Sequence, residues 1–196
     1  MNYPPVSDDL SRPNSCPFCA IAHVYPTYPP TEPPHPSSAS INPEKTNPEA
    51  FIVLSTTFLI AFLDIMPLSR GHLLLCPRRH RQKLTDISPA EASEMGRYQR
   101  LLSKALCRAT GVEDWNIVQN NGAAAAQVVD HAHFHLIPRP EIREQGRRAD
   151  SFTMFGRGQR EDLDEEEAME LAEEVRLALA EVMVEEGSMD TPKWKL

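Results

Sequence analysis

The chain has 196 residues, 41% of them hydrophobic and 24% charged, and a formal net charge of −8. That length predicts one globular domain with a real core, and every apolar run is far shorter than the roughly 18 residues of a membrane span. The charge is uneven, because residues 161 to 190 contain 13 acids and one base, Arg176. The rest of the chain therefore carries +4, which suits a phosphate-bearing ligand and is too weak and scattered to indicate DNA or RNA binding.

The N-terminal segment, residues 1–23, is polar and rich in proline and lacks the apolar stretch of a signal peptide. Cys16 and Cys19 have the spacing of metal ligands, whereas Cys76 and Cys107 lie in apolar surroundings. Reduced thiols are therefore a simpler interpretation than two disulfides. These features predict a soluble intracellular protein, cytoplasmic or nuclear, with no membrane partner.

Residues 24–48 are rich in proline, with Ser, Thr and Asn between the prolines. Proline fixes φ and removes a backbone donor, so this stretch is predicted to be neither helix nor central strand. We interpret it as an extended or mobile insertion, with a partner-binding polyproline segment as the alternative.

Residues 49–140 contain the predicted core of the domain. Short apolar segments rich in β-formers predict strands at residues 51–55, 58–64, 71–77 and 115–119. Between the last two lies one long helix, since Ser88, Pro89 and Glu91 form a capping box and the apolar pattern ends near Gly111.

The C-terminal extension, residues 141–196, contains a second predicted helix that begins near Asp164. Apolar residues recur at helical spacing from Ala168 to Val182, and acids cluster in the first turn, where the helix dipole favours them. We interpret the acidic run as a solvated face. Strands around one long helix, followed by this trailing helix, predict an α+β fold.

Residues 131–139 read His-Ala-His-Phe-His-Leu-Ile-Pro-Arg, an alternation that has the period of a β-strand. A fifth strand here would place His131, His133 and His135 on one face. Each imidazole needs a hydrogen-bond partner or a metal, so three in a row suit a packed core poorly. A solvated or metal-binding face is one interpretation, and a site that handles phosphate is the one we favour.

This motif resembles the histidine triad (HIT) superfamily of nucleotide hydrolases and transferases. Residues 61–80, which run from Ala-Phe-Leu-Asp-Ile to Pro-Arg-Arg-His, also look like a family segment, and Gln127 stands four residues before the first triad histidine. Cys16-Pro-Phe-Cys19 is similar to the zinc-containing branch. The resemblance implies a five-stranded antiparallel sheet with helices, and a homodimer that pairs through the long helix and adjacent strands.

In this family the middle histidine, here His133, attacks the α-phosphate of a nucleotide derivative and forms a nucleotidyl-histidine intermediate that water cleaves. The resemblance implies that His135 and Gln127 bind the phosphate oxygens as charge redistributes. Asn120 would contact phosphate or ribose from the loop. The alternative for His133 is a packed structural histidine.

Asp64 and Ile65 stand at a strand end, where a carboxylate can accept both ribose hydroxyls. The resemblance supports that role and places Ile65 against the base, although an Asp at a turn is often only a turn former. His72 matches a histidine that borders the family's site, and a merely structural role is the alternative.

Cys16, Cys19, His80 and His131 would complete a structural zinc site if the zinc-containing branch is followed. A redox-active Cys-x-x-Cys is the alternative, but no thioredoxin-like pattern surrounds the motif. The metal would then anchor the N-terminal segment to the strand that carries the nucleophile.

Two departures from the family concern the loop before the triad. Val128 stands where many members have Ser or Thr, and residues 123–126 are alanines where many are glycines. The resemblance implies a nucleoside phosphoramidase-like hydrolase that releases AMP or a related nucleotide from an amine, sulfate or phosphate. The alternatives are a dinucleoside polyphosphate hydrolase and a nucleotide-binding adaptor protein.

Overall fold

One antiparallel sheet of five strands organises the computed structural model, which describes residues 16–140 and 163–189. The strands are β1 Ile52–Ser55, β2 Leu59–Leu63, β3 Leu73–Pro77, β4 Trp115–Gln119 and β5 Phe134–Pro138. Their order across the sheet is β1-β2-β3-β5-β4, and each neighbouring pair is antiparallel. The helices are α1 Pro17–Val24, α2 Pro89–Thr110 and α3 Glu165–Met189. The predicted α+β fold is confirmed.

The ends of the two long helices follow the capping signals in the sequence. Before α2, the Ser88 side chain accepts from the Glu91 N–H and the Glu91 side chain accepts from the Ser88 N–H. Gly111 ends the helix with φ of 69°, a left-handed conformation that glycine adopts without strain. Before α3, Asp164 Oδ1 accepts the Glu167 N–H at 2.9 Å.

Helices α2 and α3 cover one face of the sheet and bury the larger hydrophobic core. The predicted stripe of α3 faces this core, with Val175 and Ala168 fully buried. Acids of α3 also pair with bases of α2: Glu186 binds Lys104 at 2.6 Å, and Glu185 binds Arg108 at 2.6 Å. The acidic run is thus partly an ion-paired seam within the chain, although exposed pairs contribute little each.

The proline-rich insertion packs on the opposite face of the sheet, together with α1. Tyr25 is fully buried there, and its hydroxyl lies 3.0 to 3.2 Å from the carbonyl oxygens of Asn42, Pro43 and Ala50. Tyr28 donates from its backbone N–H to Ser55 O at 2.9 Å. Beyond Val24, the last residue of α1, the insertion contains two short 3₁₀ turns and no α-helix or strand, as predicted. The buried Tyr25 and the half-buried Tyr28 fix it to the sheet, which the prediction of an extended or mobile segment did not include.

Strand β5 begins at Phe134, so the prediction that all three triad histidines lie in the strand is wrong for His131 and His133. The backbone before the strand is bonded to loops instead: the His131 N–H donates to Val129 O, and the Ala132 N–H donates to Arg81 O. These bonds replace the strand ladder. Among the described helices we find no candidate for a membrane-spanning segment.

Candidate active site and metal cluster

Three imidazoles stand in a row where β3 and β5 run side by side. His135 in β5 pairs with Leu74 in β3, and His72 immediately precedes β3. The ring centroids of His72 and His135 are 5.1 Å apart, and those of His135 and His133 are 4.8 Å apart. The antiparallel register therefore brings together residues that are more than 60 positions apart in sequence.

Hydrogen bonds fix which nitrogen of His72 and His135 carries the proton. The Leu68 N–H donates to His72 Nδ1 at 3.1 Å, so this nitrogen is an acceptor and the proton of the neutral ring lies on Nε2. His72 Nε2 lies 2.9 Å from His135 Nδ1. If His72 donates, neutral His135 carries its own proton on Nε2. His135 then presents a donor to a ligand.

His133 has the opposite arrangement, which leaves it an unprotonated nitrogen. Its Nδ1 lies 2.6 Å from the backbone oxygen of His131, which can only accept, so Nδ1 carries the proton and Nε2 does not. The side chain is 6% exposed. Burial lowers the pKa of His133, against the opposing effect of the His131 carbonyl. The ring is therefore neutral at physiological pH, as a nucleophile must be.

Asp64 follows β2 at the edge of the same row. Its Oδ1 accepts the Met66 N–H at 2.9 Å, and its Oδ2 lies 3.5 Å from His72 Nδ1. One atom each of Asp64, His72 and His135 lies within 4.8 Å of the others, a grouping that could hold a cation. Because His72 uses opposite sides of its ring for the other two, the three side chains form a chain rather than a cage.

The loop before the triad places its polar residues differently from expectation. Gln127 is buried, and its amide donates to Gln82 O at 2.7 Å and to Val129 O at 3.0 Å, while its oxygen accepts the Gly122 N–H at 2.6 Å. Both amide hydrogens are thus committed to the backbone. In this arrangement Gln127 holds the loop, and its amide would have to exchange one of these bonds to meet a phosphate oxygen, so the role that the resemblance implied stays a prediction.

The alanines of this loop do adopt a glycine-like conformation at one position. Ala126 has φ of 62° and ψ of 29°, in the left-handed region that costs a non-glycine residue about 1–2 kcal/mol. Residues 123–125 form a 3₁₀ turn before it, and Gly122 has φ of 90°. The loop therefore keeps a tight turn although most of its expected glycines are absent.

A cavity of about 660 Å³ opens beside the imidazole row. His133, His135 and Asp64 line one end of it, and Asn120 and Val128 reach it from the loop.

The cavity also has an apolar wall, which is formed by Phe18 and Ile21 of α1 and by Phe62 and Leu74 of the sheet. The end of the insertion closes another side. Ile65 also lines the cavity and is 42% exposed. Such a space accommodates a flat apolar group beside a polar one.

Cys16, Cys19, His80 and His131 come together on the far side of His133. One donor atom from each lies within 4.8 Å of the others. The Cys16 and Cys19 sulfurs lie 3.4 and 3.5 Å from His131 Nδ1, and the Cys19 sulfur lies 3.3 Å from His80 Nδ1. The resemblance had brought these same four residues together on motif grounds.

Two features prepare this cluster for a soft metal. His131 Nε2 donates to Pro77 O at 2.8 Å, so its Nδ1 is the unprotonated nitrogen and faces the sulfurs. The pKa of the Cys16 thiol falls to about 3, chiefly because the Cys19 thiol hydrogen-bonds to it, whereas the same contact, followed by burial, raises the pKa of Cys19. A thiolate beside neutral imidazoles is a donor set that fits a tetrahedral metal ion.

A buried ion pair that the sequence analysis did not predict supports both sites. Arg81 and Glu91 form a buried ion pair, with Arg81 Nε 3.0 Å from Glu91 Oε2. Although burial opposes it, hydrogen bonds from Ser88 and Arg81 hold the pKa of Glu91 below its usual value. The pair fixes the segment after β3, whose backbone binds Ala132 and the Gln127 side chain. The capping box had identified Glu91, but nothing in the sequence pointed to its second partner.

Comparisons with known proteins agree with this geometry. Across 85 residues, the chain is 42% identical to an adenosine 5'-monophosphoramidase of Schizosaccharomyces pombe, which covers 43% of this chain and 61% of that protein. It is 43% identical over 82 residues to an adenylylsulfatase of Arabidopsis thaliana, covering 42% of each. In both cases the match spans less than two thirds of the relative.

Solved structures extend the likeness beyond the segments matched by these two relatives. A zinc-bound histidine triad family protein from Mycobacterium smegmatis superposes with a TM-score of 0.60 and 28% identity, over 87% of this chain and 97% of that one. A hypothetical histidine triad nucleotide-binding protein from Sulfolobus tokodaii, 22% identical, has the same fold, with a TM-score of 0.62 over 92% and 99% of the two chains. The HIT domain family matches residues 45–142, half of the sequence. The chain belongs to the HIT domain family.

Proposed function

We propose that the protein is a hydrolase that releases AMP, or a related nucleotide, through His133. The observation that supports this most directly is the tautomer of His133, since its Nδ1 is bound to the His131 carbonyl and its Nε2 is the unprotonated nitrogen beside the cavity. In the first step, Nε2 forms a bond to the α-phosphorus and the bond to the leaving group breaks. Water then attacks phosphorus, breaks the N–P bond and releases the nucleotide.

His135 is proposed to bind a phosphate oxygen and to protonate the leaving group. Its Nε2 carries the proton when His72 donates to Nδ1 at 2.9 Å. A proton given to the departing atom would be replaced from the attacking water in the second step, so the cycle is balanced. His72 touches neither atom and acts by positioning His135.

Asp64 and Ile65 are proposed to bind the nucleoside. The Asp64 carboxylate is 7% exposed and lies at the cavity edge, so a pair of ribose hydroxyls would give it donors. Ile65 and the apolar wall on Phe62 suit a base. Asn120, which lines the same cavity, is proposed to contact phosphate or ribose from the loop.

An amine or a sulfate is the leaving group we favour, because the two relatives reported above are named as a phosphoramidase and an adenylylsulfatase. A dinucleoside polyphosphate is the alternative with the same site. Val128, 94% exposed at the cavity mouth, offers no hydroxyl to a departing amine.

The metal cluster is proposed to hold one structural zinc ion on Cys16, Cys19, His80 and His131. Four protein ligands leave no open position, so the ion would supply rigidity and no Lewis-acid chemistry. A homodimer is proposed as well. Strand β4 is a sheet edge, and its Trp115 and Ile117 are each 42% exposed, an apolar edge that a second copy would cover.

Purified protein should be assayed with adenosine phosphoramidate, adenylyl sulfate, diadenosine triphosphate and diadenosine tetraphosphate. We expect AMP release from the first two, with higher kcat/KM than for the dinucleotides. Rapid quenching should trap adenylyl label on the protein, and the His133→Ala variant should carry none. Turnover without any label in the wild type would exclude the covalent route.

A further inference from the structure

Residues 45–50, where the insertion ends and the core begins, contribute a wall to the cavity. The HIT domain match begins at residue 45, so it includes this wall and leaves out the rest of the insertion. This wall is held firmly: Tyr25 binds the carbonyls on either side of it, and the Ala50 N–H donates to Pro43 O. A preorganised wall can discriminate between ligands without moving.

Glu49 gives the wall its chemistry, because it adds a half-buried carboxylate that lines the cavity. The hydroxyl oxygen of Thr46 is buried beside the Tyr25 hydroxyl and is not accessible from the cavity. Thr46 therefore supports the wall and does not contact a ligand.

Charge gives the cavity two distinct ends. Glu44 and Glu165 lie close enough to Glu49 to raise the pKa of its carboxyl, after the effect of burial. Lys45 also lines this side, but its ammonium lies over the Tyr25 ring, 5.6 Å from the centroid. Phosphate is disfavoured at this acidic rim and favoured near the imidazoles, so a nucleotide bound here turns its base toward the insertion.

We propose that Glu49 reads the edge of the base and selects a base that carries an exocyclic amine, as adenine does. This inference rests on the proposed function, because it assumes that the cavity takes a nucleotide. A carboxylate accepts hydrogen bonds and cannot donate them. It therefore binds the amine of adenine and opposes hypoxanthine, which presents a carbonyl oxygen at the same position.

The test is equilibrium binding of AMP and IMP by calorimetry to the full-length protein, so that turnover is not needed. Wild type should bind AMP about tenfold more tightly than IMP, the effect of one hydrogen bond to a charged group. Glu49→Gln should bring the two Kd values together, because an amide can donate as well as accept. Thr46→Val should leave the ratio of the two Kd values unchanged, because its hydroxyl does not reach the ligand.

Exposed residues of the same insertion supply matched controls. Thr31 and Glu32 lie outside the cavity, so Thr31→Val and Glu32→Gln should leave both Kd values and the melting temperature unchanged. An AMP:IMP ratio that is the same in Glu49→Gln and wild type, with both nucleotides bound, overturns this inference alone. Failure of wild type to bind either nucleotide overturns the proposed function with it.

Discussion

His131 and His133 are two positions apart, yet they hold their protons on opposite nitrogens. His131 donates from Nε2 to Pro77 O and turns Nδ1 to the cysteine sulfurs, whereas His133 holds its proton on Nδ1 and leaves Nε2 for the cavity. Each assignment is made by one backbone carbonyl. The same residue type can therefore serve as the proposed metal ligand or as the proposed nucleophile, according to which ring nitrogen the backbone carbonyl binds.

The sharpest way to separate the two histidines is to remove the one beside the cavity. His133→Ala should reduce kcat by 10³-fold or more, since the residue that forms the covalent bond is lost. Metal content, melting temperature and AMP binding should stay close to wild type. His23, exposed on α1, supplies the control His23→Ala, which should keep full activity. Near-normal kcat in His133→Ala would contradict the assignment of His133 as the nucleophile.

Removal of a metal ligand tests the role proposed for His131. Cys16→Ser or His80→Ala should lose the single zinc ion per chain that we expect elemental analysis to find in wild type. The melting temperature should fall by about 10 °C, because the metal's binding energy is part of the folding energy. Cys107→Ser, at a half-buried cysteine outside the cluster, should keep the metal. If the wild type contains no metal and melts at the same temperature as these variants, the assignment of His131 as a metal ligand is contradicted.

A smaller effect is expected at Asp64, which contacts the imidazole row but is not proposed to react. Asp64→Ala should raise KM about tenfold and lower kcat less, because ribose contacts are the same in the ground and transition states. Comparison of ribose and 2′,3′-dideoxyribose substrates in wild type and variant gives the measurement. If wild type turns over both substrates with equal kcat/KM, Asp64 does not bind the ribose and only accepts the Met66 N–H in its turn.

The smallest effect is expected at Val128, at the mouth of the cavity. Val128→Ser should raise kcat/KM for adenosine phosphoramidate a few-fold relative to adenylyl sulfate, since an amine leaves poorly unless it is protonated and a sulfate does not need the proton. The ratio of the two kcat/KM values is the readout. A hydroxyl at residue 128 would add a second donor beside His135, so an unchanged ratio would show that residue 128 does not face the leaving group.

Local patterns predicted most of the fold. Strand β4 was predicted at its observed bounds, and α2 follows its capping box and its terminal glycine, because both signals depend on neighbours in sequence. The start of β5 was misjudged because the period of two continues through His131, while the bonds that exclude it from the ladder come from distant loops. The alternation of residue types predicts which face each side chain occupies, but it does not predict the hydrogen-bond partners of the backbone.

The site was predicted only as far as motifs reach. The four metal-cluster residues and the imidazoles of the row were predicted from the family resemblance. The structure brings one donor atom of each cluster residue within 4.8 Å of the others, and the pairing of β3 with β5 sets His135 beside His72. Gln127 was assigned a ligand's role because an amide has donors, but the sequence does not show that Gln82 and Val129 occupy them. The folded insertion was missed for the same reason, since the partners of the Tyr25 hydroxyl lie 17 to 25 residues away.

The hydroxyl of Tyr25 also divides the insertion into two parts that should differ in how well they tolerate changes of length. Tyr25 ties the start of the insertion to residues 42, 43 and 50, so residues 29–40 form a side loop whose ends are already joined. Each doubling of such a loop's length costs only about 0.6 kcal/mol. Among descendants of this chain, insertions and deletions should therefore accumulate in residues 29–40, while the spacing from residue 42 to β1 stays fixed.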